Sequence, residues 1–344
     1  MAKNDSRTKA FSTTAKPKPK KKSYKSKKRI RQQVVLSIFA VIALILVVFA
    51  TLIIGKIITL KKAKDQEPNN QQSVYTVARN ELDIHIGNLL LINDNYKYTL
   101  PADLSGMINV YQYRQNSDNN NTTQIDGNFT YALTSNKITL NKDTLNAFNQ
   151  MILDYCSQPN FESENNNSIS NLEIAWGGYS ESTRVEYEDD IEKYGKDYYD
   201  HALGTTLTIK INTPSTVVTE SILKTNFDWI NKNAHKYGFI VRYTSKCQNH
   251  TGIDSSKRVH LRYIGVEHAT YIYENGCCLD KYLETLRENY TYNNPLVINS
   301  ADGKTYNVYY VAYTGNPTNI PVPEDKTYYI SGDNMNGFIV TVEQ

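Results

Sequence analysis

The chain is 344 residues long, with 38 Lys and Arg against 35 Asp and Glu. That length suits one large domain or two smaller ones. The formal charge of +3 hides an asymmetry: residues 1–31 hold thirteen of the 38 bases and one of the 35 acids, which leaves 25 and 34, a net of −9, over residues 32–344. The basic character is therefore a property of one tail, and the long apolar run directly after that tail argues against a nucleic-acid partner.

Residues 34–55 carry no charged side chain, and their only polar side chains are Ser37 and Thr51. A helix of that length spans a hydrocarbon core of ~30 Å, and no small-residue cleavage site comes after it. The expectation is a single transmembrane helix over 34–55. The 1–33 tail is then cytoplasmic by the positive-inside rule, and the rest of the chain lies outside the cell membrane. Residues 56–80 read as a polar stalk. The exported part holds four cysteines, Cys156, Cys247, Cys277 and Cys278, without a C-x-x-C pair. A thiolate zinc site has no support, and a disulfide from Cys247 to Cys277 or Cys278 stays open.

Beyond the stalk, 88–100 predicts a strand, a turn at Asn93–Asn95 and a second strand. The asparagine-rich 114–124 reads as a loop. Apolar residues at 145, 148, 151, 152 and 155 predict a helix over 140–156 with Asn141 as its N-cap. A strand and turn over 172–179 precede an acidic helix over 186–203. Strict alternation over 205–211 predicts a half-buried strand with Leu207, Ile209 and Ile211 inward. Next come a helix over 221–238 stopped by Gly238, strands around 239–245 and 259–265, and a helical segment over 266–286 interrupted near Gly276. From 290 onward strands and turns dominate. The fold class is α+β: a largely antiparallel sheet with flanking helices, in a domain over 81–289, succeeded by a β-rich extension over 290–344.

The run "NAHKYGFIVRY" (233–243), the "TG" at 251–252 and "HLRYIG" (260–265) resemble the zinc D-alanyl-D-alanine carboxypeptidases of the vancomycin-resistance type. "GGYSES" (177–182) is similar to that family's S-G-Y-R-S, and 194–211 aligns with its S-x-H-x-x-G-x-A-x-D. The resemblance covers roughly residues 82–286 and implies the D,D-carboxypeptidase/hedgehog-like fold. It also implies a zinc ion held by the His and Asp of the latter motif and by the His of E-P-W-H, whose Glu is the general base.

Carried over residue by residue, His260 matches the last ligand. Leu203 and Lys210 fall at the other two ligand positions, Lys257 falls at the general base, and Ser180, after Tyr179, falls at the substrate-binding Arg. A register shifted by two would bring in His201, but the spacing from Leu203 to Lys210 also satisfies the motif. His235 reads as a surface residue of its helix, His250 as a loop residue and His268 as an ordinary helix histidine. On this alignment His260 is the only surviving ligand. No cofactor is then expected, and the protein binds cell-wall peptide or an envelope protein without catalysis. Under the alternative, an active zinc carboxypeptidase trims the D-alanyl-D-alanine end of peptidoglycan stems. His260 and Arg262 share a strand face. With Lys210 and Lys257 they would make a cationic cavity suited to a peptide carboxylate.

Overall fold

A computed structural model describes residues 74–159, 161, 168–212, 216–254, 256 and 258–344. The basic tail, the 34–55 segment, the stalk to residue 73, and Lys257 lie outside the described residues. Among the described residues no helix is long and apolar enough to cross a membrane.

The central sheet is built from β1 (Ala132–Leu133), β2 (Leu172–Trp176), β3 (Thr206–Ile211), β4 (Phe239–Val241) and β5 (Val259–Tyr263), in the order β4-β5-β3-β2-β1. All pairs are antiparallel except β1 with β2. Helix α1 (Lys142–Cys156) covers one face. Its Leu145, Phe148, Met151 and Ile152 recur at helical spacing and are fully buried against Leu207, Ile209 and Leu261. Asn141 caps it as expected, its side-chain oxygen accepting from the Asp143 N–H at 2.9 Å.

The alternation of β3 is only half of its burial. Thr206 and Thr208, on the opposite face, are also fully buried, because that face holds a polar cluster under a cover of aromatic rings. The acidic segment is a helix only over Glu186–Tyr194. Gly195, at φ 86°, breaks it, and a tighter 3₁₀ helix, Lys196–Leu203, delivers the chain to β3. The 221–238 segment likewise divides into Glu220–Thr225, Asp228–Asn233 and Ala234–Tyr237 before Gly238 ends it. The 114–124 loop contains the short helical turns Ser117–Asn119 and Asn120–Thr123.

Helices α2 (Val266–Asn275) and α3 (Leu279–Asn289) are separated at Gly276, whose φ of 57° ends α2. Strands β6 (Leu296–Asn299), β7 (Thr305–Ala312), β8 (Tyr328–Gly332) and β9 (Gly337–Glu343) form a second antiparallel sheet in the order β6-β7-β9-β8. Ala269, Leu279, Leu283 and Leu286 pack against Ile298, Val308 and Ile339 in one buried cluster. Residues 72–344 form one compact unit, so the 290–344 strands share a core with the helices that precede them.

The 88–100 segment departs from expectation. It forms no strand, although Leu89, Leu90, Leu91 and Ile92 are all buried. Its carbonyls find other donors: Arg262 donates to Asn88 and Leu90, and Asn334 to Leu91. Buried backbone groups need partners but not a sheet. The turn at 93–96 is present, closed by reciprocal Asn93–Tyr96 backbone hydrogen bonds.

Candidate functional site

The face of the sheet opposite α1 brings three side chains together. His201 arrives from the 3₁₀ segment, Thr208 from β3 and His260 from β5, where it stands directly opposite Thr208. His201 Nε2 is 3.1 Å from Thr208 Oγ1 and 3.2 Å from His260 Nδ1, and Thr208 Oγ1 is 3.3 Å from His260 Nδ1. None of the three is more than 1% exposed. The carbonyl of Gly177 accepts from His201 Nδ1 at 2.9 Å, which leaves Nε2 as the lone-pair nitrogen of a neutral ring.

Close glycine packing sets this geometry. Gly204, at φ 66°, ends the 3₁₀ segment, and a Cβ there would fall 2.2 Å from Met107 Cε. A Cβ on Gly178 would fall 2.7 Å from Gly204 Cα.

The arrangement corrects the ligand alignment. His201 and Thr208 are seven residues apart, as are Leu203 and Lys210, so spacing alone could not choose between the registers. The motif glycine decides it: Gly204 lies three after His201, whereas Thr206 lies three after Leu203. Leu203 ends the 3₁₀ segment outside the triangle. Lys210 bridges to Glu173 across β2 and β3 at 3.3 Å. In this register His201 and His260 fall at histidine positions of the motifs, and Thr208 falls at the position of the aspartate.

The cationic cavity is also corrected. Arg262 is fully buried and committed: its Nη1 lies 3.0 Å from Asp200 Oδ2, and its Nη2 donates to two carbonyls. Asp200 also accepts from Arg242 Nε at 2.7 Å, and Arg242 reaches Asp280 at 2.6 Å. Burial alone would raise the Asp200 carboxyl, but Arg262 and Arg242 outweigh it and hold the group below the usual carboxylate range. Ser180 is occupied within a turn by Ser182 and Thr183, and Tyr179 donates to Asp190 at 3.2 Å.

Tyr198, Tyr243 and Arg258 complete the site, and of these only Tyr243, the last residue of the 233–243 run, matches a motif residue in the sequence. The Tyr198 ring lies 5.1 Å from His201 and 5.9 Å from His260, and Tyr243 lies 5.4 Å from His260. Arg258 donates to the Tyr198 hydroxyl and stands over the Tyr198 and Trp176 rings at 5.1 and 5.6 Å. Burial drives the His201 pKa down to about 4, against the opposing hydrogen bond to Gly177. His260 is driven well below its ordinary value by burial and then by His201, Arg258 and Arg242. Both rings are neutral near pH 7.

The triangle can be tested against a metal ion. Its edges match the ~3.3 Å face of a tetrahedron whose metal–ligand bonds are ~2.0 Å. The donors do not fit: zinc is held by Cys, His, Asp or Glu, so a neutral threonine hydroxyl leaves two ligands where three are needed, and the flanking Arg258 and Arg242 are cations. Among the described residues no group of three or more His, Cys, Asp or Glu side chains is placed to hold a metal. The three polar atoms are within hydrogen-bond distance of one another and carry no negative charge.

Outside the aromatic cover a cleft of about 440 Å³ is lined by Trp176, Tyr179, Tyr194, Tyr198, Lys137 and Lys210.

Residues 179–266 match the sequence model of the VanY D-alanyl-D-alanine carboxypeptidase family. A D-alanyl-D-alanine carboxypeptidase of Enterococcus faecium is 29% identical over 278 residues, 80% of each chain. One of Enterococcus faecalis is 42% identical over 59 residues, 17% of this chain and 22% of that protein. The crystal structure of the vancomycin-resistance D,D-dipeptidase VanXYg, in complex with a D-Ala-D-Ala phosphinate analogue, aligns with a TM-score of 0.58 at 24% identity. It covers 79% of this chain and 100% of its own, which establishes the shared fold. Over residues 179–266 the chain is similar to the VanY D-alanyl-D-alanine carboxypeptidase family.

Proposed function

We propose that this is a membrane-anchored, extracytoplasmic D,D-carboxypeptidase-like module that binds a peptidoglycan stem peptide without hydrolysing it. The observation that carries this reading is the neutral, fully buried His201–Thr208–His260 triangle. A metallopeptidase of this family needs an anionic third ligand and a carboxylate base. Here a threonine stands at the ligand position, and Lys257 takes the place of the base in the E-P-W-H alignment. A lysine serves as a base only when its pKa falls by several units. The cleft beside the triangle is within the size range of small-ligand sites and offers aromatic faces, with Lys137 and Lys210 balanced by Glu186 and Glu173. The names of the relatives point to a peptide ending in D-alanine as its occupant. Residues 34–55 supply the membrane span in this reading.

One observation favours a second reading, an active zinc carboxypeptidase: the triangle keeps the dimensions of a metal face. Calorimetry with a stem peptide ending in D-alanyl-D-alanine, run beside an assay of released D-alanine, separates the two. The module binds the peptide saturably and releases no D-alanine above a boiled control. Release that disappears in His260→Ala would establish the enzyme instead.

A further inference from the structure

A separate cavity of about 220 Å³ opens at the free edge of the central sheet and shares no lining residue with the cleft. Strand β4 is the end strand and pairs only with β5. Hydrogen bonding alternates along an antiparallel pair. Gly238 accepts from Ile264 and Arg242 donates to His260, so residues 238, 240 and 242 face β5. Phe239 and Val241 therefore turn their N–H and C=O groups to the open edge, and both residues line the cavity. An open strand edge is a template for another extended backbone.

The remaining walls give that backbone a direction. Ile240 and Ile272, which share a buried cluster, form an apolar floor, while the Phe239 ring packs against Phe148 in the other core. Tyr273 stacks on His235 with ring centroids 3.9 Å apart and planes 7° from parallel. His235 is buried rather than on the surface as its helix position suggested. Its Nδ1 is enclosed without a hydrogen-bond partner among the described residues. Burial, and then Lys236, lower its pKa to about 4, so it offers hydrogen bonds and no charge near neutral pH. Glu220 is the one acid lining the cavity, and it is engaged by Lys224 and by the Ser245 N–H. Lys246, on the rim, has no carboxylate within ion-pair distance among the described residues. A buried unpaired imidazole nitrogen beside an uncompensated cation suits a carboxylate. The volume lies below the ~300 Å³ at which drug-sized sites begin, so a chain end fits and a folded partner does not.

We propose that this edge cavity captures the C-terminal residue of an extended peptide. An apolar side chain enters over Ile240 and Ile272, the peptide backbone pairs with Val241, and the terminal carboxylate meets Lys246. This site is independent of the cleft, so it stands or falls apart from the reading above.

The test uses the full chain in detergent, with N-acetyl-alanyl-leucine and its C-terminal amide as probes. Cys277 lines the same cavity, so its alkylation, read by mass spectrometry, reports where a probe sits. The free acid should bind about three- to fivefold more tightly than the amide, the share of one exposed ion pair. It should slow alkylation of Cys277, and Lys246→Gln should remove the preference for the acid. Ile272→Trp, which fills the floor, should weaken both probes. Equal binding of acid and amide, binding that leaves Cys277 unprotected, or no binding at millimolar concentration would each overturn the proposal.

Discussion

Replacing Thr208 with aspartate should convert the buried triangle into a zinc site. Thr208 stands opposite His260 and 3.1 Å from His201 Nε2, so an aspartate there adds the missing negative charge next to two imidazoles already fixed in place. Without metal the change is harmful, because an uncompensated buried charge costs roughly 3–5 kcal/mol. With zinc at a hundred times its dissociation constant, binding returns about 2.7 kcal/mol. In a domain of this size each kcal/mol moves the melting temperature by roughly 2–4 °C. The variant should therefore melt below the native chain in chelator and rise by roughly 5–10 °C when zinc is added, while the native chain does not respond. Differential scanning calorimetry with elemental analysis reads both. Should the aspartate variant fail to fold, Thr208→Cys supplies a smaller anionic donor for the same comparison. A folded variant that takes up no zinc would refute the claim that the triangle lacks only a third ligand.

Arg242→Met should destabilise the domain by roughly 3–5 kcal/mol in urea unfolding, because it leaves Asp200 and Asp280 without their shared cation; a loss under 1 kcal/mol would show that Arg262 alone suffices. His268 bonds to Tyr282 through Nδ1 and to Thr341 through Nε2, and burial lowers its pKa despite Glu267 at 3.4 Å. The unfolded chain binds the proton first, so stability should fall as pH drops below about 6.5, with a slope of up to about 1.4 kcal/mol per pH unit from this group. A stability difference between the native chain and His268→Gln that is the same at pH 7 and at pH 5 would contradict it. Protease added to intact cells should digest the chain beyond about residue 61 and spare the 1–33 tail; digestion of the tail would reverse the topology.

The sequence exposes the parts of this fold that rest on local physics. The Asn141 cap, the 145–152 apolar stripe, the β3 alternation and the break at Gly276 are each decided within a few residues. The site is less legible because its logic is three-dimensional. A spacing of seven fits two registers; the motif glycine, Gly204, three after His201, is legible in the sequence and favours His201 and Thr208, and the structure adds that these two meet His260. The apolar run at 89–92 suggested a strand because burial without a sheet depends on Arg262 and Asn334, which lie far along the chain. Arg262 looked like a cation facing a cavity because its partner Asp200 comes from another element, whereas Lys210 does line the cleft but is paired with Glu173. His235 passed for a surface residue since Tyr273, which covers it, belongs to α2.

The central claim, that the neutral His201–Thr208–His260 triangle holds no zinc, is tested most directly by elemental analysis of the native chain purified in the presence of zinc and dialysed against buffer. The neutral triangle predicts well under one zinc per chain and a melting temperature that chelator does not change. One zinc per chain, lost on His260→Ala, would contradict it.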